Sequence, residues 1–300
     1  MIHKRYIIIL FLFNLCCTSM DNTDLSNNAP INIRFSSRIQ ALPSKSIITE
    51  TSFPDNSEIG IYAWGHHQKD GDTNTTLRDD LNNAKYTKET GSEELIPSID
   101  AHYPINPDTL LNFYAYYPYT TSINSPQKIS FNLNEQEDIM WATPVLNRGK
   151  VSTESNINLQ FNHILSAITL KFKKANDIKE DMTLQSISLE NYAPTAELNI
   201  QTGQLTQTAL ASPFPLIEGL TTTISSEETT ILTDCLLCPI EKPVFIIHLS
   251  GKDYRIESSK AFETGKKQTF EFTIQAKDIS ISGQIRPWLD GGSSNETVFF

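Results

Sequence analysis

Glycine, cysteine and positive charge are all scarce in this 300-residue chain, which has 12 glycines, 4 cysteines and 24 basic residues against 35 acidic ones. So few glycines leave little room for a phosphate-cradling loop. No G-x-S-x-G or H-E-x-x-H pattern occurs either, which removes the commonest serine-hydrolase and zinc-protease signatures. The acids are scattered and define no carboxylate pair. A formal net charge of −11 repels phosphates and anionic lipid headgroups. No basic cluster with interleaved aromatics offsets it, so nucleic acid is not an expected partner. Beyond the first residues, no apolar run reaches the length needed to span a bilayer.

The one clear apolar run is short and N-terminal. His3, Lys4 and Arg5 precede Tyr6 to Leu15, and the run ends in Cys16 and Cys17. A helix of about ten residues rises only about 15 Å, half the hydrocarbon core, so the run reads as a signal peptide over residues 1–16. The cysteine pair resembles a bacterial lipobox, in which the first residue of the mature chain is a Cys whose sulfur takes a lipid. Cys17 is the candidate, because the smaller Cys16 then sits just before the cut; Cys16 is the alternative acylation site. A plain secretory signal with incidental cysteines stays open. Loss of Lys4 and Arg5 would leave 22 of the 24 basic residues against 35 acids, a mature balance of −13. Residues 17–30 are small, polar and without periodicity, as in a flexible tether.

From Ile31 onward the apolar residues alternate with polar ones. Ile31-Ile33-Phe35, Ile59-Ile61-Ala63, Leu111-Phe113-Ala115-Tyr117, Ile157-Leu159-Phe161, Leu198-Ile200, Phe270-Phe272-Ile274 and Ile279-Ile281 each place apolar residues at every second position. That period, with turn-forming residues between runs, predicts strands with one packed face and one wet face. The only segment that predicts a short helix is Thr76 to Ala84. Length favours two domains. The apolar parity changes near His163, from odd positions through Phe161 to even positions at Ile168, Leu170 and Phe172. Such a slip needs a bulge or a passage from one sheet to another. The expected fold is therefore all-β, with an N-terminal β-sandwich over residues 31–155 and a C-terminal one over 156–300.

Few residues invite chemistry. Cys235 and Cys238 have CxxC spacing, but on a strand residues three apart point to opposite faces and can neither bridge nor share a metal. Asp70-Gly-Asp72-Thr-Asn74 starts like a calcium loop, yet Thr75 and Leu81 stand where an EF-hand needs glycine and glutamate. A polar hairpin tip is the better reading. His163 and His248 read as hydrogen-bonded core imidazoles, and His66 and His67 as loop surface. Tyr114 and Tyr116 share a face opposite Phe113 and Tyr117, and they pack across strands or, if exposed, offer a sugar-stacking platform. No catalytic residue, metal or cofactor is expected.

Phe161-Asn-His163-Ile-Leu-Ser-Ala-Ile-Thr-Leu170 resembles the F-x-H-x-L-[SA]-x-[IVL] segment of fimbrillin-family proteins, including the Mfa-like class. Other pieces fall in the same order: Ile59-Gly-Ile-Tyr-Ala63, Phe113-Tyr-Ala-Tyr-Tyr-Pro118, Glu137-Asp-Ile-Met-Trp-Ala142, Leu198-Asn-Ile-Gln-Thr-Gly203, Cys238-Pro239, Gly265-Lys-Lys-Gln-Thr-Phe270 and Ile285-Arg-Pro-Trp288. The resemblance implies two tandem transthyretin-like sandwiches on an outer-membrane, surface-exposed lipoprotein. It also implies a non-enzymatic role in fimbriae and adhesion, with other fimbrial subunits as partners through β-strand addition. The exchanged first strand would carry Ile31, Ile33 and Phe35 toward the core. Processing in the family follows an Arg; Arg38 is the nearest match, and Lys45 occupies roughly the place of a Thr-Arg pair. Only twelve residues follow Trp288, which favours an accessory, tip or anchor subunit. Asp108-Thr109-Leu110 resembles a short bacterial O-glycosylation motif. The alternative reading is a surface glycan-binding lipoprotein, with host or bacterial glycans on Tyr114 and Tyr116.

Overall fold

Period-two alternation is realised as strands almost throughout the computed structural model, which describes residues 30–40, 52–67, 75–150, 156–208, 213–275 and 279–287. Cys16, Cys17, Lys45 and the Asp70–Asn74 segment, expected as a hairpin tip, lie outside the described residues. The strands are, in chain order, β1 (Arg34–Ile39), β2 (Glu58–His67), β3 (Thr76–Leu77), β4 (Ala84–Lys88), β5 (Glu94–Pro97), β6 (Thr109–Tyr117), β7 (Ile123–Ser125) and β8 (Lys128–Asn132). They continue as β9 (Met140–Ala142), β10 (Val145–Arg148), β11 (Asn156–His163), β12 (Ser166–Lys174), β13 (Met182–Leu189), β14 (Thr195–Asn199) and β15 (Gln204–Gln207). The last are β16 (Phe214–Ile217), β17 (Thr222–Ile224), β18 (Thr229–Leu237), β19 (Val244–Leu249), β20 (Lys252–Glu257), β21 (Lys266–Ile274) and β22 (Ile279–Pro287). Among the described residues there is no α-helix. The short helix expected over Thr76 to Ala84 is instead β3 followed by a 3-10 turn at Asp79–Leu81.

The first unit differs from the expected sandwich. Seven strands pair in the cycle β6-β9-β11-β1-β5-β4-β2, and β2 pairs back to β6, so the sheet closes as a barrel. β10 and β3 are appended to it. Closure removes the open edges that a sandwich would leave. Ile33, Phe35, Ile59, Ile61, Phe113, Ile157, Leu159 and Phe161 fill the interior. Phe35 is at its centre, with edge-on contacts to Tyr86 and Phe113, both at 5.2 Å between ring centroids.

The parity change near His163 is a passage between sheets. β11 lies in the barrel, paired with β1 and β9, whereas β12 lies in a different four-stranded sheet of order β18-β12-β21-β22. The sheets therefore divide after His163, and the strand that the 155/156 boundary assigns to the second sandwich completes the first barrel. The second unit is a sandwich. The sheet containing β12 faces one of order β16-β13-β19-β20, with β17 also on β13. Phe172 stacks on Phe272 at 4.6 Å, and Phe245 of the opposite sheet meets Phe272 edge-on at 5.2 Å.

A fourth sheet, β15-β14-β8-β7, ties the units together. Its hairpin β7–β8 comes from the barrel half and pairs with β14 through Thr195↔Asn132, Ala196↔Phe131, Glu197↔Ser130 and Leu198↔Ile129. Beside it, the Trp141 indole N–H donates to the Ile200 carbonyl at 2.7 Å. Gly203 lies under the same ring: it has φ of +72°, and an added Cβ would come within 2.6 Å of the indole. Only glycine satisfies both the left-handed backbone and that close approach.

Trp141 thus spans the two halves with both its ring and its N–H. Trp141→Ala is expected to destabilise the chain by about 2–3 kcal/mol in urea unfolding, from lost burial and an orphaned carbonyl. A loss below about 0.5 kcal/mol would contradict this placement.

Candidate functional site

The residues expected to act are those of the first strand. β1 runs parallel to β11 over six pairs, from Arg34↔Asn156 to Ile39↔Phe161. On its other side it meets β5 over only two, Phe35↔Leu95 and Ser36↔Glu94. Chain before β1 is held by Ala101–Tyr103: the Ile33 N–H donates to the Ala101 carbonyl at 2.8 Å, and the Tyr103 N–H to the Ile31 carbonyl at 2.9 Å. Ile33 and Phe35 face the core as expected, at 3% and 1% exposure. Ile31 does not, being 38% exposed because it extends past the barrel rim; the inward row continues instead through Ser37 and Ile39.

Arg38 lies within β1, opposite Gln160, with its side chain exposed. At the same end of the barrel Phe53 plugs the interior, packing on Tyr117 at 5.0 Å and Phe161 at 4.9 Å. The Lys88 ammonium, almost wholly buried, reaches Asp55 at 3.1 Å. That hydrogen bond, helped by the Gly91 N–H, holds the Asp55 carboxyl below the usual carboxylate range.

Tyr114 and Tyr116 do not form an exposed platform. They share a face, as their parity requires, but that face packs on the second core. Tyr116 is fully buried, and its hydroxyl donates to Asn83 Oδ1 at 2.7 Å. Tyr114 meets Trp64 edge-on at 5.2 Å. An added Cβ at Gly60 would come within 2.1 Å of the Tyr116 ring, so the Ile59-Gly-Ile strand is shaped to seat this tyrosine. The glycan reading therefore has no aromatic pair to rest on.

His66, expected in a surface loop, is on β2 and 4% exposed, while His67 is exposed with its Nδ1 3.5 Å from Thr109 Oγ1. His163 Nδ1 lies 2.5 Å from Asp138 Oδ2 where β11 ends. His248 is not a core imidazole; it sits half-exposed, 2.6 Å from Asp253. Cys235 is half-buried on β18 and Cys238 is buried just beyond it, both free thiols. Burial pushes Cys235 up to about 11 and Cys238 up to about 12, which leaves little thiolate near neutral pH. The backbone N–H of Cys238 donates to the buried Tyr192 hydroxyl.

Residues 47–288 match the family described as fimbrillin-like. The chain belongs to that family. It is 23% identical over 251 residues to a Bacteroides uniformis protein named "Putative fimbrium subunit Fim1C", an alignment covering 80% of each chain. Solved structures share the fold. A "putative cell adhesion protein" from Bacteroides uniformis aligns with a TM-score of 0.54 at 19% identity, covering 86% of this chain and 99% of its own. A fimbrial protein from Bacteroides vulgatus gives a TM-score of 0.56 at 12% identity, covering 86% and 99%.

The fimbrillin-like motifs, distant in sequence, meet where barrel and sandwich join. The Ile164 N–H donates to Ile139 at 3.1 Å, the Gly265 N–H to Leu165 at 2.8 Å, and Ser166 Oγ to Glu263 at 2.5 Å. Sequence reasoning missed Gln136 here. Its side-chain amide mimics a strand, accepting from the Leu236 N–H at 2.8 Å and donating to the Leu236 carbonyl at 3.1 Å. A glutamine outside any alternating run carries no local signal of that role.

Raised thiol pKa values mean that stability is fully present below pH 9, the ordinary thiol value, and is lost as pH rises toward 11–12. The melting temperature should fall between pH 9 and 11. Replacing both Cys235 and Cys238 by Ala should flatten that fall. An unchanged slope would show that the thiols are not responsible.

Proposed function

We propose that this chain is a non-enzymatic, cell-surface fimbrillin-like subunit that joins other fimbrial subunits by β-strand addition, in an accessory, tip or anchor role in adhesion. The observation that carries this reading is the seat of β1. That strand lies between β11 and β5 and is joined to the rest of the barrel, on its C-terminal side, through residues 41–51. Main-chain hydrogen bonds supply most of the affinity in strand addition, and any extended segment with the right alternate side chains satisfies them. The name of the Bacteroides uniformis relative, a fimbrium subunit, agrees with this role.

The geometry favours Lys45 over Arg38 as the processing site. A cut after Arg38 would divide β1 and leave Ile39, 7% exposed, behind in the barrel. A cut after Lys45 frees the whole strand. Acylation of Cys17, or of Cys16, would instead hold the chain at the outer membrane through residues 17–30.

Mass spectrometry of the protein from intact cells separates the two states. An acylated Cys17 start is expected for a retained anchor, and a start at Ser46 for a processed subunit. In the processed case Lys45→Ala should abolish incorporation into fimbriae formed with purified relatives, and Arg38→Ala should leave it within about twofold. A chain that stays monomeric after cleavage and never copurifies with fimbriae would overturn the proposal.

A further inference from the structure

Ser37 is where β1 fits its own barrel least well. It is fully buried, and its Oγ has no hydrogen-bond partner among the described residues. The other inward residues of this row, Ile33 just before the strand and Phe35 and Ile39 on it, are all apolar, and its partner across the ladder is Leu159. The Ser37 N–H donates to the Glu93 carbonyl at 2.9 Å, yet a buried carboxylate oxygen of Glu93 also lacks a partner among the described residues. A hydroxyl stripped of water without a replacement bond costs free energy that an apolar group of similar size avoids.

The seam beside Ser37 is the looser of the two that hold β1. It has two residue pairs against six on the β11 side, and a cavity of about 280 Å³, lined in part by Arg34, Phe35, Leu95 and Ile96, opens along it. Main-chain bonding is the same for any strand in this seat, so the difference between occupants lies in the inward row.

We propose that the seat of β1 selects a partner strand that keeps the apolar alternation but carries an aliphatic residue where this chain has Ser37. The proposal rests on the strand-addition reading and gives it a direction. The resident strand closes the barrel during export, and a strand with a methyl group at that position displaces it, because it regains the desolvation cost that Ser37 leaves unmet.

Two measurements test this. In the intact chain, Ser37→Ala should slow hydrogen exchange of the β1 amides about tenfold, since it removes the hydroxyl without adding volume. Unchanged or faster exchange would overturn the proposal. In a chain nicked by trypsin between Gln40 and Ser52, a labelled peptide of residues 30–40 carrying Ser37→Ala should bind about tenfold more tightly than the native peptide. A Ser37→Val peptide repeats the comparison with a larger side chain. If the native peptide enters but neither apolar peptide binds more tightly, the role of Ser37 is refuted and strand addition stands. If no peptide enters, both fall.

Discussion

The antiparallel ladder between β2 and β6 joins eight residue pairs, from Gly60↔Tyr116 to His67↔Thr109, and the rest of the architecture depends on it. It closes the barrel, and its outer face becomes the wall against which the second core is built. Ile59, Ile61, Phe113 and Ala115 point into the barrel, while Tyr62, Trp64, Tyr114 and Tyr116 point the other way, toward Phe131 and the sandwich half. A strand pair buried on both faces cannot slip by one residue without exchanging aromatic and aliphatic rows between two differently shaped cores. Gly60 adds a local constraint, since its missing side chain is the space that the Tyr116 ring occupies.

That wall also sets the joint between the units. Trp141 bonds Ile200 and covers Gly203, Gln136 pairs with both backbone groups of Leu236, and β8 adds to β14. The Ile200 carbonyl is the part-buried backbone group among these, so loss of its Trp141 donor costs more than the net worth of the bond. Two of the segments that resemble the fimbrillin family supply contacts at this joint, Trp141 from one and Ile200 with Gly203 from the other.

Both units also place their first strand beside a later one in parallel, β1 with β11 and β12 with β21. A parallel pair needs a long return connection, so each first strand is paired by chain that lies much later in the sequence. In the barrel this makes β1 an interior strand with neighbours on both sides. Its removal would expose two rows of unpaired N–H and C=O groups facing each other, a stronger template than a single open edge.

The alternating runs were legible residue by residue, because side-chain direction along an extended backbone is a local property. So were the parity slip near His163, which left a bulge or a passage between sheets open, the inward aim of Ile33 and Phe35, and the opposed parities of Tyr114 and Phe113. What covers an outward face is not local. His66 read as loop surface, and packing or exposure stayed open for Tyr116, because nothing near them in sequence shows the sandwich half or the strand ladder that buries them. The same limit applied to the seven-stranded closure and to the membership of β11, which depend on pairings across tens of residues. Ser37 shows the division most clearly: its position in an alternating strand is plain from the sequence, but its hydroxyl is left without a partner among the described residues only because β5, β11 and the barrel interior surround it without offering one. The sequence by itself determined strands, their faces and the family, since these come from backbone period and short motifs. Tertiary structure alone decided which faces are buried twice and which side of β1 is held by fewer pairs, since both depend on groups brought together only by folding.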